Sequence, residues 1–528
     1  MQRQESRHQS GRSENLRLGE LIAALSLAFD LGNNYPLEKA LRNALLAVGL
    51  AREVGLTGEQ LSDVYYVAQL RYLGCTAASH EMAQFLGVDE LAARNALGAV
   101  ASSSPTDVVK TTLTRLGRGE GLVPRARAVV KVVIGGRRMI PEQFAQDCEA
   151  AERLAGRLGF SKTVCSAMAD VHSSWNGKGA VAREHAGEDL AVAARIAFLV
   201  HVAEVHHRLG GRDAAIEVVR RRSGHDFDPQ LAAAFVRKAP ELLGAIEQES
   251  VWDSALAAEP KPWPWIPNSR LNAIAQAFGE FADLKSPYTL GHSSGVAELA
   301  AAAGPAFGLD ASDVAEIRRA GWLHDLGRVS VPNTIWDKPG PLSVSEWERV
   351  RPHPYYTERI LSQSPLLRTL SLTAGMHHER MDGSGYHRGA SRATIPLPAR
   401  LLAAADAYHA MTEERPHRAA MSADAAAREL VLSSEAGRLD REAVGAVLEA
   451  SGQNARRKRL SWPGNLSDRE VDVLRLAARG KSNHEMGSLL HISENTVHHH
   501  VKRIYDKVGV STRAGAALFA MENDLIRD

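Results

Sequence analysis

The sequence predicts an all-α protein. Aromatic residues make up only 5% of the chain and alanine is abundant, a composition that favours packed helices over sheets. Apolar residues recur at helical intervals, as in Leu61, Val64, Tyr65, Ala68 and Tyr72, the signature of a helix with one buried face. Near the C-terminus, Ser467-Asp468-Arg469-Glu470 and Ser482-Asn483-His484-Glu485 both have the Ser-x-x-Glu form that starts a helix.

With 528 residues the chain exceeds a single core and should carry about three to four domains. Residues 1–15 read as a disordered lead, and 16–250 as a first helical domain. A Pro/Trp-rich linker, 251–269, holds four prolines within Ala257–Ser269 and must interrupt the helices. A second helical domain occupies 270–450, a basic linker 451–465, and a compact basic unit 466–528. The chain has no apolar run of about 18 residues that could span a membrane. The N-terminus lacks the apolar segment of a secretory signal, so the expected compartment is the cytoplasm. Cys75, Cys148 and Cys165 are widely separated, which argues against a disulfide framework or a zinc knuckle.

The two large segments read as copies of one another. Ser62–Cys75 lies over Ser312–Asp325, His172–Gly179 over His378–Gly385, and Ala194–Glu204 over Ala399–His409. The chemistry is not shared. Gly74 and Cys75 stand opposite His324 and Asp325, Val171 opposite His377, and His201 opposite Asp406, while His172 alone keeps its residue type opposite His378. The first copy therefore reads as a structural or regulatory relic.

The second copy carries a concentration of metal-binding residue types: His324-Asp325, His353, His377-His378 and Asp406. Any one of the 21 histidines, taken alone, is more often a surface or core residue than a ligand. Together, these imidazoles and carboxylates exceed what one ion needs, and suit Mn, Fe or Zn. A carboxylate beside a histidine on a helix can bridge two ions, an arrangement fitted to phosphate-ester hydrolysis.

Five stretches of text carry a family resemblance: SPYTLGHSSGVAELA, GWLHDLGRVSVP, HPYYTERIL, HHERMDGSGYHRG, and IPLPARLLAAADAYHAMT with ERPHR. In order and spacing they resemble the HD-GYP branch of the HD metal-dependent phosphohydrolases, over about 170 residues. The resemblance implies a helical HD domain in the second copy and a degenerate one in the first. It implies two divalent ions, Fe, Mn or similar, held by His292, His324, Asp325, His353, His377, His378 and Asp406. Asp325 would bridge and, with Arg328, serve catalysis; Arg328, Gly383, Gly385 and Tyr386 would border the substrate. The implied substrate is cyclic di-GMP or a related phosphodiester.

This chain also departs from the pattern. Arg328 stands where the family usually has lysine, and Arg is not its equivalent in reach or geometry. His387 replaces the proline of Gly-Tyr-Pro, which removes a rigid residue from the loop. His409 replaces a second acidic residue, His417 a tyrosine, and Tyr288 a glutamate that holds a third metal in some members. Arg400 reads more conservatively as a buried partner for an acidic group.

From Ser451 onward, 13 Lys/Arg face 9 Asp/Glu, so this end is basic. Ser493 is placed to cap a helix that runs to Gly509. The run LSDREVDVLRLAARGKSNHEMGSLLHISENTVHHHVKRIYDKVGVSTRAGAA resembles the LuxR/GerE-type DNA-binding domain, a four-helix helix-turn-helix unit. The resemblance makes Glu494–Val508 the recognition helix, with Thr496, His498, His499 and Lys502 meeting DNA. Val497, Val501, Ile504 and Val508 have core spacing, and Arg456–Arg459 could add phosphate contacts or act as a solvated tether. Such readers act on paired half-sites, so a homodimer is expected. The whole reads as a phosphodiesterase coupled to a transcription factor; the alternative is a nucleotide sensor without turnover that gates DNA binding.

Overall fold

The computed structural model describes residues 16–98, 100, 105–118, 121–178, 186–453, 462–523 and 525–526. The lead 1–15 and the basic run Arg456–Arg459 lie outside the described residues. Among the described residues the architecture is helical throughout, the exception being one antiparallel pair of two-residue strands, Leu16–Arg17 and Trp265–Ile266. That pair fastens the entry of the first copy to the proline-rich stretch. The helix Trp252–Ala258 stops before the prolines of 257–269 take over, because a proline offers no N–H and disfavours helix in the residue before it.

In the first copy, the helix Gly58–Leu70 buries Leu61, Val64, Tyr65 and Ala68, and Tyr72 follows it into the core. A carboxylate starts the next equivalent helix of each copy. Asp30 accepts the backbone N–H groups of Lys39 (2.9 Å) and Ala40 (3.1 Å) at the head of Lys39–Glu53. Asp283 accepts the N–H of Ser293 at 2.9 Å at the head of His292–Ala303. Each satisfies donors that a helix start would otherwise leave unpaired. This correspondence puts Lys39 where the second copy has His292.

The copies share one continuous core. Phe29 stacks on Phe278 at 5.9 Å and meets Phe281 edge-on at 5.2 Å, and Thr76 donates to the carbonyl of Phe281 at 2.7 Å. Aromatic contacts of this kind add roughly 0.5–1.5 kcal/mol each beyond their buried area. Lys285 and Glu90, both buried, pair across the same interface at 3.1 Å.

The C-terminal unit has four helices, Asp468–Ala478, Asn483–Leu490, Glu494–Val508 and Arg513–Glu522. Both expected capping boxes form, at Ser467/Glu470 and Ser482/Glu485, and Ser493 accepts from the N–H of Thr496. The third helix ends at Gly509 in the left-handed conformation, φ +66°, which costs glycine little. Val497 and Ile504 are buried, and Val501 and Val508 half-buried. The unit docks on both copies. Glu149 accepts from the backbone N–H (2.8 Å) and the hydroxyl (3.1 Å) of Ser511, and Lys481 approaches Glu414 at 3.9 Å. No helix among the described residues is long and apolar enough to cross a membrane.

Candidate metal centre

The structure brings all seven expected ligand residues to one point. His292 and His353 open the helices His292–Ala303 and His353–Leu361, and Asp406 lies within Leu397–Thr412. The two adjacent pairs are not placed along helices, as expected from sequence, but in the turns that end them. His324-Asp325 follows Ala311–Leu323, and His377-His378 follows Pro365–Gly375. Neighbouring residues on a helix point about 100° apart; leaving the helix lets both side chains of a pair converge.

Gly327 makes that turn possible. A Cβ there would lie 2.1 Å from the carbonyl oxygen of His353, so only glycine permits so close an approach. Thr357 joins the two segments, accepting from the N–H of Gly327 at 2.9 Å and donating to the carbonyl of His324 at 2.8 Å.

Asp325 divides the cluster. Its Oδ1 lies 3.4 Å from His353 Nε2 and 3.5 Å from His377 Nε2. Its Oδ2 lies 3.7 Å from His324 Nε2 and 3.9 Å from His292 Nε2. Asp406 Oδ1 stands 3.3 Å from His292 Nε2, and its Oδ2 is 3.9 Å from His378 Nδ1. Two groups result: His292, His324 and Asp406 on one side, His353, His377 and His378 on the other, with one carboxylate between.

On four of the five histidines the other nitrogen has a partner. Nδ1 of His324, His353 and His377 meets the carbonyl oxygens of Gly321 (2.7 Å), Val350 (2.7 Å) and Ala374 (2.6 Å), three residues upstream in each case. Nδ1 of His292 meets Glu413 at 2.8 Å. The three carbonyl contacts select the tautomer whose Nε2 faces inward with a lone pair, the arrangement metal-binding histidines use, and Glu413 turns the Nε2 of His292 inward in the same way. His324 Nε2 is fully buried and has no hydrogen-bond partner, a donor set that a cation would complete.

Charge agrees with this. Burial pushes His324 down to about 4 and also lowers His353, so both imidazoles are neutral near pH 7. Burial would raise Asp325 and Asp406, yet the surrounding histidines, with Arg328 beside Asp325, hold both well below the usual carboxylate range.

The centre forms the floor of an open cleft of about 880 Å³. Arg328 lines it, lying over Trp336 at 3.9 Å from the ring centre and donating to Asp325 Oδ2 at 3.1 Å. Tyr386 also lines the cleft and packs on His378 at 4.8 Å. Gly383 and Gly385, expected in the loop that borders the substrate, do not themselves line the cleft. They shape the loop: Gly383 takes φ +82°, and a Cβ on Gly385 would fall 2.4 Å from the backbone of Arg380.

Several functional neighbours escaped the sequence reading. Lys338, Arg380, Arg415 and Arg418 add positive charge to the cleft, and Trp336 and Trp347 add aromatic surface. Glu379 accepts from the N–H groups of Arg388 (2.6 Å) and Ala390 (2.8 Å), holding the loop that lacks its proline. The carboxylate missing at His409 is supplied one helical turn later by Glu413, which reaches His409 Nδ1 at 3.2 Å as well as His292. Arg400 meets the acidic Asp440 at 3.1 Å, as its conservative reading anticipated, though the pair is half-buried and not buried. Tyr288 sits at the cleft's edge.

In the first copy the equivalent positions, Gly74, Cys75, Val171, His172 and His201, also converge, around a cavity. Lys39 Nζ lies 2.9 Å from His201 Nδ1 and 3.2 Å from Glu204. The amino group of Lys39 thus occupies the place that the His292 ring has in the second copy. At the other end of the chain, Thr496, His498, His499 and Lys502 are all exposed on one helix.

Residues 276–443 match the profile of the HD domain, and 464–520 that of bacterial regulatory proteins of the luxR family. The chain is 30% identical over 412 residues to 3'3'-cGAMP-specific phosphodiesterase 3 of Vibrio cholerae, covering 78% of this chain and 89% of that protein. That match is longer than everything after residue 250, so it reaches into the first copy. The cyclic di-GMP phosphodiesterase response regulator RpfG of Xanthomonas campestris is 36% identical over 186 residues, 35% of this chain and 48% of that one. Among solved structures, the cyclic GMP-AMP specific phosphodiesterase V-cGAP3 of V. cholerae superposes with a TM-score of 0.57 at 27% identity, covering 83% of this chain and 98% of that chain.

Proposed function

Because the chain belongs to the HD-GYP phosphodiesterases, which are metal-dependent, and joins such a domain to a luxR-type DNA-binding domain, we propose that it hydrolyses a 3',5'-linked cyclic dinucleotide at a two-metal centre and couples that site to DNA binding. The carrying observation is the split environment of Asp325, whose two oxygens face different sets of imidazole nitrogens. His292, His324 and Asp406 would hold one ion, His353, His377 and His378 the other, with Asp325 shared. Two divalent ions such as Fe or Mn supply Lewis acidity and lower the pKa of water when bound.

The protein's own residues do the rest. Arg328, fixed by Trp336 and Asp325, offers donors to the scissile phosphate and to the charge that builds as the bond breaks. Lys338, Arg380, Arg415 and Arg418 favour a ligand with more than one phosphate, and Trp336, Trp347 and Tyr386 offer faces on which purines stack. Relatives named for 3'3'-cGAMP and for cyclic di-GMP make these two the substrates to try first.

The luxR-type unit would place Glu494–Val508 in the major groove, with Thr496, His498, His499 and Lys502 toward DNA, and would act as a homodimer on paired half-sites. The test is full-length protein loaded with Mn or Fe, incubated with each dinucleotide and followed by chromatography. Linear product that disappears with Asp325→Ala supports the reading. Turnover that survives this substitution, or tight binding of both dinucleotides without turnover, overturns it.

A further inference from the structure

We propose that the vestigial centre of the first copy is a binding site for a small organic monocarboxylate with an apolar body. The cavity there measures about 160 Å³, room for roughly ten water molecules, and so for a compound the size of benzoate or hexanoate. Its walls are largely apolar, including Met82, Leu97, Val132, Phe144 and Phe198.

The charges inside do not balance. Arg94 and Asp147, which both line the cavity, pair at 3.1 Å, while Lys39, behind His201, pairs with Glu204 at 3.2 Å. Arg71 is 3% exposed and lines the cavity, yet no carboxylate among the described residues pairs with it. It bonds the carbonyl of Val171, touches His172 Nδ1 at 3.2 Å and lies over the rings of Phe198 and Tyr72. Its Nε is buried without a partner. An unpaired buried charge costs several kcal/mol, so a guanidinium held this way is completed by an anion from outside the chain.

The neighbours set the ligand's charge. His201 is kept neutral by burial, with Lys39 and Arg71 adding to the effect, and Arg94 is matched by Asp147, so Arg71 is the cation left unmatched among the described residues that line the cavity. A carboxylate matches it, with two oxygens for the guanidinium fork. A phosphate monoester would bring a second charge and oxygens that these apolar walls leave unsatisfied.

The site is connected to the DNA reader. Gln143, Phe144 and Asp147 of the helix Leu122–Leu158 line the cavity, and Glu149 of the same helix holds Ser511. A ligand that shifts this helix changes how the reader docks, and docking changes ligand affinity in return.

Calorimetry on the full-length protein tests the proposal, with benzoate and hexanoate as probes and benzamide and hexanamide as neutral counterparts. The expected result is saturable binding of one carboxylate per chain, at least tenfold tighter than its amide. Arg71→Gln should abolish it while metal-dependent hydrolysis persists. Ala151→Leu, which fills the cavity and keeps Arg71, should abolish it too, and decides the matter if Arg71→Gln does not fold. No saturable binding of either carboxylate, equal binding of the amides, or unchanged binding by the folded variants overturns the proposal.

Discussion

Glu413 accepts a hydrogen bond from Nδ1 of His292 at 2.8 Å, and so decides which nitrogen of that ring faces Asp406. Arg415 donates to the same Glu413 oxygen at 2.7 Å, fixing the carboxylate in turn. Outer partners of this kind are worth about 10–100-fold in metal affinity. Glu413→Gln should therefore weaken loading of the His292 side by that factor, read from metal titration of chelator-stripped protein, and leave the His353 side unchanged.

Metal uptake should release a proton. Burial disfavours charge on His292, but Glu413 and Asp406 outweigh it and hold the metal-free ring's pKa up to about 10. This charge contributes stability that is whole below the unfolded value near 6.5 and is lost as pH rises toward about 10. A metal must displace that proton, so apparent affinity should climb between pH 7 and 9. Calorimetry at pH 8 in buffers of different ionisation enthalpy should show about one proton released at this ring, and fewer for Glu413→Gln.

Asp325→Asn keeps the size of the side chain and removes the charge between the two nitrogen sets. On the proposed two-metal reading, loss of the shared ligand and of several kcal/mol of electrostatic stabilisation predicts a fall in kcat/KM of roughly a thousandfold or more. Elemental analysis of the purified variant should find at most one ion per chain.

Arg328 is held between Trp336 and Asp325 on the wall of the cleft. Arg328→Leu should lower kcat/KM by about a hundredfold, a loss near 2.7 kcal/mol. Arg328→Lys keeps the charge and should stay within about tenfold of the parent, as steady-state kinetics will show.

Lys502 is exposed on the helix expected to enter the groove. If it meets phosphate, Lys502→Ala should weaken binding evenly across DNA sequences and reduce the slope of log K against log salt by about 0.9. Filter or fluorescence binding at several salt concentrations measures both.

Much of this was legible in sequence because it is local. Capping boxes need residues three apart, so Ser467/Glu470 and Ser482/Glu485 could be read directly. The ligand residues were legible through their motifs, and their convergence followed from the family resemblance. What was not legible depends on geometry between distant segments. Nothing about position 413 announces that its carboxylate lies on His292, 121 residues earlier. Gly383 and Gly385 were assigned to the substrate-bordering loop by the family resemblance; only the folded loop shows how they shape its path.

The sequence by itself determined the helical class and, through its motifs, the two families, and it named the tandem copies and the candidate ligands, since each reading rests on residue type, spacing and short-range capping. Tertiary structure alone decided the rest. It put Lys39 in the place of His292, left Arg71 buried without a carboxylate among the described residues, and set Glu149 against Ser511. Those outcomes depend on which side chains remain unpaired after burial, and burial is a property of the packed chain, not of any segment within it.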